Sequence, residues 1–214
     1  NAGSNVGAII TPLVVPAIVI TWGWQSAFFL SGVVGFVWVI AALYLLSSST
    51  SKVALAENER LEAEEQRQVQ PERVGWLDIM RDRRTWGFAV AKFLTDPIWW
   101  FYLYWVPKFL SSTFKVQLVG LAAPLVMIYL LADVGSVGGG WLSSRLSKRG
   151  VPVLTARRQV MLVCAILALS VIMVPSAANI WCAALLLGLA TAAHQGWSAN
   201  LFASVSDLFP KEAV

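Results

Sequence analysis

An uncharged apolar run from Ala27 to Leu46 limits the possible fold of this chain more than any other feature. A helix needs about 20 predominantly apolar residues to cross the hydrocarbon core of a bilayer, and this run is long enough. Over all 214 residues, 57% are hydrophobic and only 13% are charged, so a soluble domain would have too little polar surface to cover them. The sequence therefore predicts an all-α integral membrane protein.

Six apolar segments are predicted to be membrane-spanning helices. Their ranges are 1–20, 26–46, 86–106, 119–141, 158–174 and 180–201. Seven Lys and Arg residues lie in 47–85 and four in 142–157, whereas the intervening connections contain only Lys108 and Lys115. By the positive-inside rule, the two connections rich in Lys and Arg face the cytoplasm.

The net charge of +4 at pH 7 does not indicate a nucleic-acid partner. The basic residues lie in short connections between apolar segments rather than in one patch with interleaved aromatic residues. Cys164 and Cys182 both fall within predicted spans, where a thiol behaves as a small apolar residue. The sequence contains no metal-ligand or redox pattern, so no cofactor is expected.

A polar segment, 47–85, divides the chain into two predicted membrane parts, 1–46 and 86–214. This segment has strong helix formers but no continuous apolar face, so we expect a solvated loop that is at most loosely helical. Its last residues, from Trp76 onward, favour a short amphipathic helix on the cytoplasmic surface. The chain begins inside an apolar segment without an initiator Met, so we expect it to be a fragment of a longer protein.

Charged residues inside the third segment indicate a binding site. Lys92 and Asp96 are four residues apart and share one helix face, at a depth where charges are costly unless they serve a substrate or an ion. Pro97 has no N–H, so it frees the Phe93 carbonyl and loosens the helix beside the pair. Trp99 lies on the same face, where its indole could stack on a sugar ring or donate its N–H. The alternatives are an ion pair that neutralises itself and locks two helices, or a lysine that snorkels to the cytoplasmic edge.

Polar residues in three other segments are further candidates. The amides of Asn1 and Asn5, one turn apart in the first segment, could bind a polar ligand or a neighbouring helix. Asp133 is a buried ionisable group that needs a partner. His194, the single histidine, could relay a proton or be a neutral, hydrogen-bonded core residue. Asp207 lies at the cytoplasmic end of the last segment, where we expect a cap or a gate contact.

Several motifs carry a resemblance to a known family. The run from Gly140, G-W-L-S-S-R-L-S-K-R, resembles the cytoplasmic loop signature of the major facilitator superfamily, G-x-L-x-D-R-x-G-R-R/K, with Ser144 and Ser147 in place of Asp and Gly. Together with NAGSNVGAIITPLVVP, TWGFAVAKFLTDPIWWFYLYWVPKFL and AHQGWSANLFASVSDLFPK, it makes the chain similar to the hexuronate-transporter group in the anion:cation symporter branch of that superfamily.

The resemblance implies a bundle of twelve transmembrane helices in two six-helix halves around a central site. The six segments would be helices five to ten, with 47–85 as the central cytoplasmic loop. Members of this branch use a proton or sodium gradient to import small organic anions, typically sugar acids such as glucuronate and galacturonate. The expected protein is a monomer in the inner (plasma) membrane whose partners are the sugar acid, the co-transported cation and the lipid bilayer.

The resemblance also assigns expected roles to individual residues. Those expected to border the substrate cavity are Asn1, Ser4, Asn5, Lys92, Asp96, Trp99, His194, Gln195 and Asn200. Those expected to act in gating are Asp133, Arg145 and Asp207. The residue that couples transport to the gradient is not assigned, because this branch keeps much of its coupling charge in helices one and four.

Three other classes of membrane protein compete with a symporter. A membrane-embedded enzyme would need clustered histidines or acidic metal-binding motifs, which the sequence lacks. A transporter-like sensor of sugar acids would keep the binding face and lose only the coupling. A channel is the weakest alternative, because no ring of pore-lining charge or repeated filter is present.

Overall fold

The computed structural model describes residues 2–47 and 75–209, and these residues form helices without any β-strand. The α-helices are α1 (Ala2–Trp22), α2 (Trp24–Ser47), α3 (Trp76–Arg81), α4 (Arg83–Phe114), α5 (Ala122–Lys148), α6 (Val153–Ala168) and α7 (Ile180–Leu208). A 3-10 turn at Leu118–Leu121 precedes α5, and a second 3-10 stretch, Leu169–Ser176, continues α6. Each of the six predicted spans therefore coincides with a helix, which confirms the all-α fold.

By length and composition, three stretches within the described residues are apolar enough to cross a membrane. They are Trp24–Leu45, Val119–Lys148 and Val153–Ser176. The helices α4 and α7, with 32 and 29 residues, are also long enough to cross a membrane, but they carry the charged and polar residues of the candidate site.

The chain divides into two compact units, one formed by Asn1–Pro16 and Trp76–Val214 and the other by Ala17–Gly75. In the second unit, Gly23 separates α1 from α2 with a φ of 83°, a conformation that side-chain-bearing residues rarely adopt. The large side chains of α2, such as Phe36 and Trp38, are exposed. Such an apolar surface suits contact with lipid.

In the first unit, α5 and α7 approach each other most closely because glycine lies at their contact. A Cβ on Gly135 would overlap the backbone of Ala192, and a Cβ on Gly139 would lie 2.7 Å from the Cα of Gly196. Small residues are the usual means by which membrane helices pack backbone to backbone. Gly135 and Gly139 thus mark tight packing between α5 and α7.

The helix α4 extends beyond the predicted range of 86–106 at both ends. At its start, Asp82 accepts a hydrogen bond from the Arg84 backbone N–H, and the Arg84 side chain and backbone together hold the pKa of Asp82 below its ordinary value. The helix continues through Pro97 and Pro107 and ends where Lys115 adopts a left-handed φ of 55°. Apolar pattern alone marks the part of a helix that lies in hydrocarbon, so it underestimates a helix that continues into the polar interface.

The short amphipathic helix predicted near Trp76 is confirmed as α3. Most of the predicted polar loop, 48–74, lies outside the described residues. In the core of the first unit, α4 contributes Tyr102, Val106 and Leu110, which pack with Ile128 of α5 and Leu187 of α7. This packing fixes α4 against α7 and so positions the candidate site.

Candidate functional site

The contact between α4 and α7 contains four of the residues that the sequence singled out: Lys92, Asp96, Trp99 and His194. The two helices run in opposite directions, because Phe88 contacts Phe209, Lys92 contacts Phe202, and Tyr102 contacts His194. The α7 residues in these contacts recur every seven or eight positions, which places them on one helix face.

Lys92 and Asp96 form the ion pair that their spacing predicts. The Lys92 Nζ lies 2.5 Å from the Asp96 Oδ1, and the two side chains are 34% and 45% exposed. The same Nζ lies 4.2 Å from the ring centroid of Phe202, a cation–π contact that joins the pair to α7. The ion pair itself is therefore confined to α4, and the aromatic ring makes the interhelical contact.

His194 of α7 is held by the backbone of α4. Its Nε2 lies 2.9 Å from the Thr95 carbonyl oxygen, and because a carbonyl can only accept, Nε2 carries the hydrogen. In a neutral ring the Nδ1 is then a hydrogen-bond acceptor, and this atom is buried without a partner among the described residues. An unpaired buried acceptor is a site where a ligand hydroxyl can donate.

Two aromatic rings of α4 enclose His194. Trp99 stacks on the imidazole with centroids 6.0 Å apart and an interplanar angle of 15°. Tyr102 meets it edge-on, at 6.5 Å and 88°. The indole therefore lies on the same face of α4 as Lys92 and Asp96, as the spacing predicts, and it shares that face with Thr95.

Gln195 and Asn200 occupy a different environment, because both are buried in helix packing. The Asn200 Nδ2 donates to the Gly196 carbonyl oxygen at 2.9 Å, and its Oδ1 is buried without a partner among the described residues. The Asp133 Oδ1 is likewise buried without a hydrogen-bond partner among the described residues. No hydrogen bond or ion pair links these three residues to Lys92, Asp96 or His194 in the described part of the chain.

The remaining candidates fall into two groups. Asn1 lies outside the described residues, and Ser4 and Asn5 lie in α1 with side chains that the structure does not describe. The two gating candidates at the cytoplasmic end make separate contacts: Arg145 lies 5.0 Å from the ring centroid of Trp141, and Asp207 pairs with Arg157 at 2.5 Å. The assigned roles of all these residues stay predictions.

Sequence reasoning missed four residues that the structure adds to these contacts: Thr95, Tyr102, Arg157 and Phe202. Two of them carried a usable signal. Tyr102 lies three residues after Trp99, and Phe202 lies eight residues after His194, so each continues a helix face that was already polar. Thr95 contributes a backbone carbonyl, which residue type does not reveal.

Comparison with known proteins gives the same family as the motifs. The family model of the Major Facilitator Superfamily matches residues 1–214. Over 220 aligned positions the chain is 31% identical to the hexuronate transporter of Escherichia coli (strain K12), an alignment that covers 100% of the chain and 51% of that protein. The chain thus spans about half the length of this relative.

Two further relatives broaden the comparison. The galacturonate transporter of Dickeya chrysanthemi is 29% identical over 153 positions, covering 69% of the chain and 44% of that protein. The voltage-gated purine nucleotide uniporter SLC17A9 of Rattus norvegicus is 29% identical over 159 positions, covering 74% and 34%. None of the solved structures is significantly similar to the chain. The chain belongs to the Major Facilitator Superfamily, and it is a multi-pass membrane protein.

Proposed function

We propose that the chain forms part of a secondary transporter that imports a small organic anion, a hexuronate or related sugar acid, together with a cation. The observation that carries this proposal is the ion pair of Lys92 and Asp96 beside the stacked rings of Trp99 and His194. The names of the three relatives support an anionic cargo, because hexuronate, galacturonate and purine nucleotides all carry negative charge.

The chemistry of this cluster matches the two parts of a sugar acid. Lys92 supplies the positive charge that a carboxylate needs inside a membrane protein. The flat indole of Trp99 suits the apolar face of a pyranose ring, and the His194 Nδ1 can accept a hydrogen bond from a sugar hydroxyl. A neutral sugar would contact the rings but would offer no carboxylate to pair with Lys92.

The strength of the ion pair decides between a binding site and a permanent lock. Exposed pairs four residues apart on a helix stabilise by only about 0.3–0.5 kcal/mol, and the side chains of Lys92 and Asp96 are both more than a third exposed. A substrate carboxylate can therefore replace Asp96 as the partner of Lys92 at small cost. A fully buried pair would resist such exchange, because it would leave an uncompensated charge.

Uptake by the full-length protein tests this assignment. Lys92→Gln in proteoliposomes is expected to lower the initial rate of glucuronate uptake at least tenfold, which corresponds to about 1.4 kcal/mol. The matched control is Lys108→Gln, which removes a second lysine of α4 that lies 5.1 Å from the ring of Trp105. We expect this control to transport at close to the wild-type rate. Equal uptake by Lys92→Gln and the wild type would show that Lys92 does not recognise the anion.

For the coupling ion we propose the proton. Symport of one proton with a singly charged sugar acid is electroneutral, so the inside-negative membrane potential would not oppose entry of the anion. The coupling group is not assigned to the Lys92 and Asp96 pair, because the ion pair satisfies both charges in the substrate-free state. A sensor with the same binding face is the alternative, and it would bind sugar acids without moving them.

A further inference from the structure

A polar groove of about 280 Å³ lies where α5 ends and α6 begins, on the side that the positive-inside rule assigns to the cytoplasm. We name it the serine groove. Its lining residues are Ser143, Ser144, Ser147, Lys148, Val153 and Arg157. None of them belongs to the α4 and α7 contact of the proposed sugar-acid site.

Several hydrogen-bond donors in the serine groove lack a partner. In the described part of the chain, the hydroxyls of Ser144 and Ser147 and the ammonium of Lys148 make no hydrogen bond or ion pair. Arg157 uses its Nε to bind Asp207, which leaves the N–H groups of both terminal nitrogens available for another acceptor. The groove therefore presents donors from hydroxyl, ammonium and guanidinium groups together.

The backbone adds to this excess of donors. The helix α6 begins at Val153, which lines the groove, and its N-cap residue Pro152 makes no side-chain cap hydrogen bond. The first N–H groups of a helix have no intrahelical acceptor and carry a partial positive charge. An anion with several oxygen atoms satisfies such a set of donors, and phosphate is the common biological one.

The position of the serine groove indicates the source of that phosphate. Ser144 and Lys148 continue the α5 face that carries Val137 and Trp141, whose side chains are 73% and 58% exposed. An acyl chain can lie along these two apolar residues while its headgroup lies at Ser144 and Lys148. We propose that the serine groove binds the phosphate of an anionic phospholipid headgroup from the cytoplasmic leaflet.

Two single substitutions at neighbouring positions test the proposal in the purified protein. Phosphatidylglycerol added to protein in neutral detergent is expected to raise the apparent melting temperature, whereas phosphatidylcholine raises it less because its choline offsets the phosphate charge. Lys148→Gln is expected to need about fivefold more phosphatidylglycerol for half of the maximal shift. Arg149→Gln, the matched control, removes the adjacent exposed cation, which does not line the groove, and should behave as the wild type.

A second variant covers the case in which Lys148→Gln folds poorly without lipid. Ser144→Ala removes one unpartnered hydroxyl at an exposed position and is expected to weaken the same lipid response. An equal loss of response in Lys148→Gln and Arg149→Gln would mean general surface attraction and would overturn the proposal. The proposal would also be overturned if phosphatidylglycerol did not raise the apparent melting temperature of the wild-type protein. A shift produced fully by inorganic phosphate, with none added by the lipid, would reject the lipid as the source.

Discussion

At the residue scale, His194 is held by a neighbouring helix rather than by its own. Its Nε2–H donates to the Thr95 carbonyl of α4, and Trp99 of the same helix stacks on its ring. One nitrogen therefore has a structural role, while the other, Nδ1, has no partner in the described part of the chain. A substitution can therefore be chosen by whether it keeps both a donor and an acceptor at this position.

His194→Gln and His194→Ala are expected to differ in stability and in affinity for a sugar acid. A glutamine amide can still donate to the Thr95 carbonyl, and its Oε1 is an acceptor in place of Nδ1, so this variant should keep its stability and most of its sugar-acid affinity. Alanine has neither group, so it should lose sugar-acid affinity and also the interhelical hydrogen bond, at a cost of about 0.5–1.5 kcal/mol of stability. Thermal unfolding in detergent and equilibrium binding of glucuronate measure the two effects. If alanine left binding at the wild-type level, the His194 ring would not contact the substrate.

Local spacing predicted the face of α4 but not its partners on α7. Lys92, Asp96 and Trp99 could be placed together because a helix repeats every 3.6 residues. The contacts with Phe202 and His194 depend on the register between two helices that are far apart in sequence, and no local pattern encodes that register. Asp133 shows the same limit, because the sequence placed it inside a span but could not name what faces it.

At the scale of elements, the glycine contact of α5 with α7 fixes the distance between these helices. Gly135 lies against the backbone of Ala192, whereas Gly138, less than one turn further along α5, has no atom within 4 Å of where its Cβ would lie. The two glycines therefore differ in packing while sharing the same helical conformation. They offer a test in which one substitution serves as the control for the other.

Gly135→Ala is expected to destabilise the protein by about 1–3 kcal/mol, because the backbone of Ala192 cannot move aside as a side chain can. Gly138→Ala should leave stability unchanged or raise it by up to about 1 kcal/mol, since alanine favours a helix more than glycine does. Apparent melting temperatures of both variants in the same detergent measure the difference. Equal stability of the two variants would contradict the close approach of α5 and α7.

At the scale of the whole molecule, membership of the superfamily is compatible with more than one driving force. The sequence predicted the superfamily from motifs that span most of the chain, and the family model confirms it. Relatives at similar identity include proteins named as a hexuronate transporter and as a voltage-gated uniporter. The second name specifies uniport, which differs from the proposed symport and gives the two outcomes that imposed gradients can distinguish.

Imposed gradients across proteoliposomes containing the full-length protein distinguish the possible driving forces. Proton symport predicts that an acidic exterior accelerates glucuronate uptake severalfold, and that an inside-negative potential alone has no effect. Sodium symport would instead require a sodium gradient, and a uniporter of an anion would be slowed by the same potential. Binding of glucuronate without flux under every gradient would identify a sensor and contradict transport.

Recognition of a carboxylate by Lys92 is tested by comparing two ligands that differ only in the carboxyl group. Glucuronate and its uncharged amide have the same ring and hydroxyls, so the ratio of their dissociation constants reports recognition of the carboxylate. We predict that the wild-type protein binds glucuronate at least about tenfold more tightly than the amide, and that Lys92→Gln reduces this ratio to near one. A ratio that Lys92→Gln leaves unchanged would contradict the claim.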